Sequence, residues 1–304
     1  MIAIDLGSNT VRVVQMDCAR LEPSGVYEKI VATADALHES GKISEAAVER
    51  IVGALNEAKE RLDFKAPVVA VTTEALRIAS NRDEVLGRIE SGCGIAFRVI
   101  SGEEEAFYTS IAVKHRLERV SMASERFVLV DIGGGSTEII FVESEEIRSR
   151  SFPVGIVTVA QKYKSLDRIS EELPGLMKDM VQFVADTRKN GAKPELFVST
   201  AGTPTTIAAM KLGMNYETYD AGRINGTVLN KDDLKIQLDR LMGLDRESRQ
   251  RLVGVGREDL IAAGVLIFEE LFSILGFDES VVIDDGLREG VAIAACKGLL
   301  NGSA

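Results

Sequence analysis

Two short stretches hold the residue types best suited to chemistry: Asp5-Leu6-Gly7-Ser8-Asn9-Thr10 and Asp131-Ile132-Gly133-Gly134-Gly135-Ser136-Thr137. Each runs from an acid through an apolar residue into a glycine turn with hydroxyl side chains. A tight glycine turn exposes backbone N–H groups with no Cβ in the way, which suits phosphate oxygens. The acid ahead of the turn can hold a divalent cation or orient a water. Glycine turns commonly do no more than reverse the chain, so one such hairpin says little. Two copies at matching points of two halves point to function. Facing each other across a cleft, they would grip a polyphosphate chain from both sides. Apolar runs flank each copy, Ile2-Ala3-Ile4 and Val11–Met16 around the first, Phe127-Val128-Leu129-Val130 and Glu138–Val142 around the second. The expected local structure is strand, hairpin, strand, used twice.

Positioning two such turns takes an α/β scaffold, and the remaining periodicities supply it. Val68–Thr72 and Tyr27–Thr33 read as strands. Ser44–Leu62 repeats apolar residues at helical spacing, with Ser44 as the N-cap. A long helix is expected from Glu103 to about Arg119. In the second half Glu146–Phe152 reads as a strand, Ile156–Tyr163 as a helix and Ser170–Thr187 as a helix broken only near its start, by Pro174. Helices then dominate, with short strands at Leu196–Ser199 and Ser280–Ile283 and a closing helix Leu287–Leu300. Polar residues cluster at Arg119–Glu125 before the strand pattern restarts. The domain expectation is 1–120, closed by a C-terminal helix at about 287–304, and 121–286. The fold class is α/β: two mixed sheets flanked by helices, with the site at the interface between two halves.

Composition narrows the function classes. The chain has 304 residues, enough for sizeable cores, and a formal net charge of −11. That acidity argues against general nucleic-acid binding and against a polybasic membrane surface. A polyanionic substrate would need local positive potential from loop amides, a few arginines and metal ions. Tryptophan is absent, so base stacking is no obvious theme. No signal peptide opens the chain, and no apolar run reaches the roughly 20 residues of a membrane span. Cys18, Cys93 and Cys296 are far apart and odd in number, so the expectation is three reduced thiols in a cytoplasmic protein. His38 and His115 are isolated and read as ordinary surface or half-buried residues, which leaves no histidine metal site or triad.

Five motifs in order, the two hairpins with Glu138, Thr72-Thr73-Glu74-Ala75-Leu76-Arg77, Ser101-Gly102-Glu103-Glu104-Glu105-Ala106, and Asp285-Gly286-Leu287-Arg288-Glu289-Gly290, resemble the exopolyphosphatase / guanosine pentaphosphate phosphohydrolase family. That family belongs to the actin-like (ribonuclease-H-like) ATPase superfamily, and the resemblance runs from residue 2 to about 297. It implies the short, two-domain form, a divalent cation such as Mg²⁺, a cytoplasmic location and a homodimer. The substrate it implies is inorganic polyphosphate, with guanosine pentaphosphate (pppGpp) as the alternative. A phosphotransferase, or a non-catalytic nucleotide-binding protein of the actin type, are the readings from other classes.

The resemblance also assigns roles. Gly7, Ser8, Asn9 and Thr10, and Gly133, Gly134, Gly135, Ser136 and Thr137, would hold phosphate. Glu105 would orient or deprotonate the attacking water, while Glu103 and Glu104 suit the positive end of a helix. Arg77 would clamp phosphate oxygens, or sit as a surface arginine. Asp5, Asp131 and Glu138 would bind metal, with Glu138 also catalytic; each also reads as a carboxylate accepting turn amides. Arg257 would reach the phosphates, and Arg12 would add charge beside the first loop. Gly202 and Thr203 would bound the phosphate channel, with Thr203 as a helix N-cap the equal alternative. Asp284 and Asp285 read as caps of the final helix.

Overall fold

The structure is a computed structural model and describes residues 1–144 and 146–300. Contacts divide the chain into two units, Met1–Ala112 with the segment from Asp285, and Val113–Asp284. The His38 side chain, read above as ordinary, lies outside the described residues; His115 is half-buried.

The first unit begins with β1 (Ile2–Leu6), β2 (Thr10–Asp17) and β3 (Glu22–Ile30). Then come α1 (Leu37–Ser40), α2 (Glu45–Arg61), β4 (Val68–Thr72), α3 (Glu74–Ile78), α4 (Arg82–Cys93), β5 (Arg98–Val99) and α5 (Gly102–Arg119). The sheet order is β3-β2-β1-β4-β5, antiparallel through the hairpins and parallel across β1, β4 and β5. Strand alternation sorts β1 onto two faces. Ile2, Ile4 and Leu6 join a core with α2 and α4, while Ala3 joins one with Tyr108 of α5 and the C-terminal helix. Asp5, two residues on from Ala3, shares that second face. Ser44 caps α2 as expected, its Oγ accepting from Ala47 N at 3.1 Å.

The second unit restarts the pattern with β6 (Arg126–Ile132), β7 (Thr137–Glu143) and β8 (Glu146–Phe152). It continues through α6 (Ile156–Tyr163), α7 (Leu166–Leu176), α8 (Lys178–Lys189), β9 (Leu196–Thr200), α9 (Gly202–Lys211) and α10 (Ala221–Ile224). β10 (Thr227–Asn230), α11 (Lys231–Met242), α12 (Arg246–Val253), α13 (Glu258–Leu275) and β11 (Glu279–Val282) complete it. Its sheet runs β10-β11-β9-β6-β7-β8, and Val128, Val130 and Ile132 pack into a core lined by the surrounding helices. The break expected at Pro174 within Ser170–Thr187 falls instead at Met177, with Pro174 inside α7. Proline has no N–H to donate and its ring crowds the preceding turn, so the helix ends soon after it.

α14 (Leu287–Cys296) returns the chain to the first unit and packs on β1 and β2. This explains the Asp285–Gly290 motif structurally. A Cβ on Gly290 would stand 1.8 Å from the Tyr108 carbonyl oxygen, so only glycine lets α14 approach α5 this closely. At the helix start Glu289 Oε2 accepts from Gly286 N at 3.0 Å. Burial pushes the Glu289 carboxyl above its ordinary value, against the opposing pull of Arg288.

The thiol expectation is corrected here. Cys18 and Cys296 form a disulfide with Cα atoms 5.2 Å apart, and Cys93 alone is a free, buried thiol. A separation of 278 residues leaves no spacing signature; only the seat of α14 against β2 brings the two together. Glycine 290 supplies a test of that seat. Gly290→Ala is expected to destabilise the protein by about 2 kcal/mol or more, the range of core overpacking, read as a lower urea midpoint.

Candidate active site

The two hairpins are built alike. Gly7 N donates to Thr10 O at 3.0 Å, and Gly133 N to Ser136 O at 2.9 Å. Asp5 lies opposite Arg12 across β1 and β2, and Asp131 opposite Glu138 across β6 and β7, at the same spacing from the turn.

Each turn is held from behind by its carbonyls. At the N-terminus of α6, Ile156 N donates to Gly133 O at 3.1 Å and Val157 N to Gly134 O at 2.9 Å. The first amides of a helix have no partner within it, so these donors are available to the turn. Among the described residues every peptide bond is trans, so the N–H following each pinned carbonyl points the opposite way. The Gly134 and Gly135 amides therefore face away from α6, where an anion would lie. Gly155 makes this possible: a Cβ there would sit 2.4 Å from Gly134 O. In the first hairpin Ala34 N holds Ser8 O, and Val31 and Ala32 N hold Asn9 O, all at 2.9 Å. That turns the Asn9 amide outward by the same logic.

The surroundings of the paired acids differ. In the first unit the row across the sheet reads Glu28, Arg12, Asp5, and Arg12 sits 3.5 Å from Glu28. In the second it reads Thr200, Asp131, Glu138, Ser151 across four strands. Two carboxylates directly opposite on one sheet face repel each other, and an all-oxygen donor set suits Mg²⁺. The second row thus fits a divalent cation better than the first, where an arginine already faces the acid. Among the described residues no three His, Cys, Asp or Glu side chains converge on a cation position. A cation there would complete its shell with water and phosphate oxygens, as Mg²⁺ ordinarily does.

In the first unit, Arg77 on α3 and Glu105 in the first turn of α5 meet, Nη1 to Oε2 at 2.8 Å. Arg77 also donates to Ile100 O and to Glu74 Oε2, both at 3.0 Å. Its Nη2 is buried and has no acceptor among the described residues. Burial opposes the charge on Arg77, but Glu105 and Glu74 outweigh it and hold the guanidinium protonated. Glu103 is exposed, and Glu104 turns back to accept from Ser101 N at 3.0 Å while Ser101 Oγ accepts from Glu104 N at 3.1 Å. That reciprocal box separates Glu104, a cap, from Glu105. Burial pushes the Glu104 carboxyl up, but the Ser101 amide and Arg98 outweigh it and hold it below its ordinary value.

Back in the second unit, Arg257 and Gly202 come together: Arg257 Nη2 donates to Gly202 O at 3.2 Å and to Thr206 Oγ1 at 3.3 Å. A Cβ on Gly202 would lie 2.7 Å from that nitrogen. Ala201 caps α9 at φ 70°, a conformation rare outside glycine and common at functional turns. The capping alternative for Thr203 fails, because the helix has already begun at Gly202. Thr203 is fully buried, with its hydroxyl beside Gly264. Sequence reasoning passed over Gly155, Glu74 and Ser151; a glycine directly before an amphipathic helix was the one available signal.

A repeated strand-turn-strand with turn amides aimed outward defines a phosphate-handling protein of the actin-like ATPase type. The profile of the Ppx/GppA phosphatase family matches residues 22–297, and the chain belongs to that family. It is 30% identical to Exopolyphosphatase 2 of Mycobacterium tuberculosis, the match covering 96% of this chain and 97% of that one. Exopolyphosphatase 1 of Mycobacterium leprae is 25% identical over 99% of this chain and 91% of its own. Among solved structures, the Ppx/GppA family member of Aquifex aeolicus is 30% identical, with a TM-score of 0.76 over 99% of this chain and 98% of that one. An exopolyphosphatase from Cytophaga hutchinsonii shares the fold, with a TM-score of 0.83 at 22% identity and 99% coverage of both chains.

Two expectations follow. Gly155→Ala forces the second turn off its backing helix, and orthophosphate release should fall about 100-fold, the scale of a 1 Å misplacement. Glu104 contributes stability above its unfolded pKa that is lost as pH falls through its lower folded value. Glu104→Gln should therefore lose less stability than the wild type between pH 6 and pH 3 in urea titrations.

Proposed function

We propose that this protein is an exopolyphosphatase that hydrolyses the terminal phosphoanhydride of inorganic polyphosphate and releases orthophosphate. The observation that carries the reading is the pair of turns whose carbonyls are pinned from behind, so that amides are offered to an anion without further ordering. Membership of the Ppx/GppA phosphatase family and the exopolyphosphatase names of relatives at 25–30% identity support it.

In this reading Gly7, Ser8, Asn9 and Thr10 bind phosphate oxygens, as do Gly133, Gly134, Gly135, Ser136 and Thr137. Arg77 offers its unpaired Nη2 to a phosphate oxygen. Glu105, fixed by Arg77 through one oxygen, orients the attacking water. Arg257, held over Gly202, adds positive charge. Asp131 and Glu138 are the carboxylates that would hold a divalent cation, whose chemistry is charge neutralisation on the phosphates. No described helix is long and apolar enough to cross a membrane.

Orthophosphate release from polyphosphate, ATP and pppGpp, with and without Mg²⁺, tests the assignment. Polyphosphate should be turned over fastest and only with the cation. Faster release from pppGpp would reassign the substrate. Glu105→Gln should fold normally and lose at least about 100-fold in kcat, the scale of general-base catalysis; full activity in that variant would remove Glu105 from the chemistry.

A further inference from the structure

We propose that Ser151 is a positioning residue for Glu138, an inference that rests on the exopolyphosphatase reading. Ser151 lies on β8, directly opposite Glu138 of β7, in the row that also holds Asp131 and Thr200. Its Oγ donates to Glu138 Oε1 at 2.6 Å. Ser136, inside the phosphate turn, donates to the same oxygen at 2.6 Å. Glu138 is only 3% exposed, so solvent cannot take over either contact.

Two donors converging on one oxygen fix the carboxylate plane. Rotation about the last side-chain bond is otherwise broad and roughly two-fold. One donor comes from the turn that grips phosphate, the other from the strand that leads into Val154 and Gly155. Thr137 Oγ1 donates to Val154 O at 2.6 Å, so the same strand end braces the next residue too. Ser151 is therefore the point at which the backing segment reaches the acid as well as the turn. It touches no substrate itself and acts through the orientation of Glu138.

The test compares kcat and KM for polyphosphate in the wild type, Ser151→Ala, Ser151→Thr, Glu138→Gln and the Ser151→Ala/Glu138→Gln double variant. Ser151→Ala should lower kcat about 10-fold with KM unchanged, since the grip on phosphate is intact. Ser151→Thr keeps the hydroxyl on a strand that favours β-branching and should restore kcat. In the Glu138→Gln background the Ala substitution should cost nothing further, because the residue it positions is gone. If Ser151→Ala fails to fold, Ser151→Cys, close in size and a weak donor, takes its place with the same expectation. Wild-type kcat in the Ala or Cys variant, or an equal loss in both backgrounds, overturns the inference. A wild-type protein that releases no orthophosphate overturns the exopolyphosphatase reading, and this inference falls with it.

Discussion

The second glycine turn depends on one contact, the meeting of the α6 N-terminus with the carbonyls of Gly133 and Gly134. A glycine-rich turn left alone can rotate its peptide planes and offer oxygen as readily as nitrogen. With both carbonyls bonded by Ile156 and Val157, planarity settles the direction of the next two amides. Gly155 is the condition for that contact, since any side chain there would enter the Gly134 peptide. The helix start is thereby satisfied by the turn, and the turn is oriented by the helix start. The energetic advantage is preorganisation: binding an anion need not first order the loop.

The repeat is geometric more than chemical. Both hairpins close with the same glycine-to-residue bond and place a partner opposite the leading acid at the same position. In one that partner is Arg12, in the other Glu138. A cation side chain in the first row and a second acid in the second row give the two turns opposite electrostatic needs. Asp5 stands opposite Arg12 in the register, whereas Asp131 and Glu138 form a row flanked by hydroxyls at Thr200 and Ser151. Duplicated backbone has been kept while the side chains that decide what each turn can hold have diverged.

Local pattern made much of this legible. β4 and α6 begin and end where the apolar residues of Val68–Thr72 and Ile156–Tyr163 place them, because each sends side chains into a core. The short β10 escaped notice: four residues carry too little alternation to stand out, and its existence depends on pairing with β11. The two glycine turns, Arg77 and Glu105 were visible as residue types in motifs. What held them was not. The bond from Ser151 to Glu138 is set by strand register, and Gly155 matters through a neighbour some twenty residues earlier. The family resemblance set Glu105 apart from Glu103 and Glu104; the Ser101 box and the seat of Arg77 are structural differences that three consecutive glutamates do not spell out.

The disulfide gives the chain an unusual covalent topology. Joining Cys18 to Cys296 closes a ring that contains nearly the whole polypeptide, with all of the second unit as an insert in that ring. A protease that severs one exposed loop between those cysteines opens the ring but releases no fragment. A nicked molecule, heavier only by the one water of hydrolysis, stays joined until a reductant is added, so the oxidised protein can carry a cut backbone without coming apart.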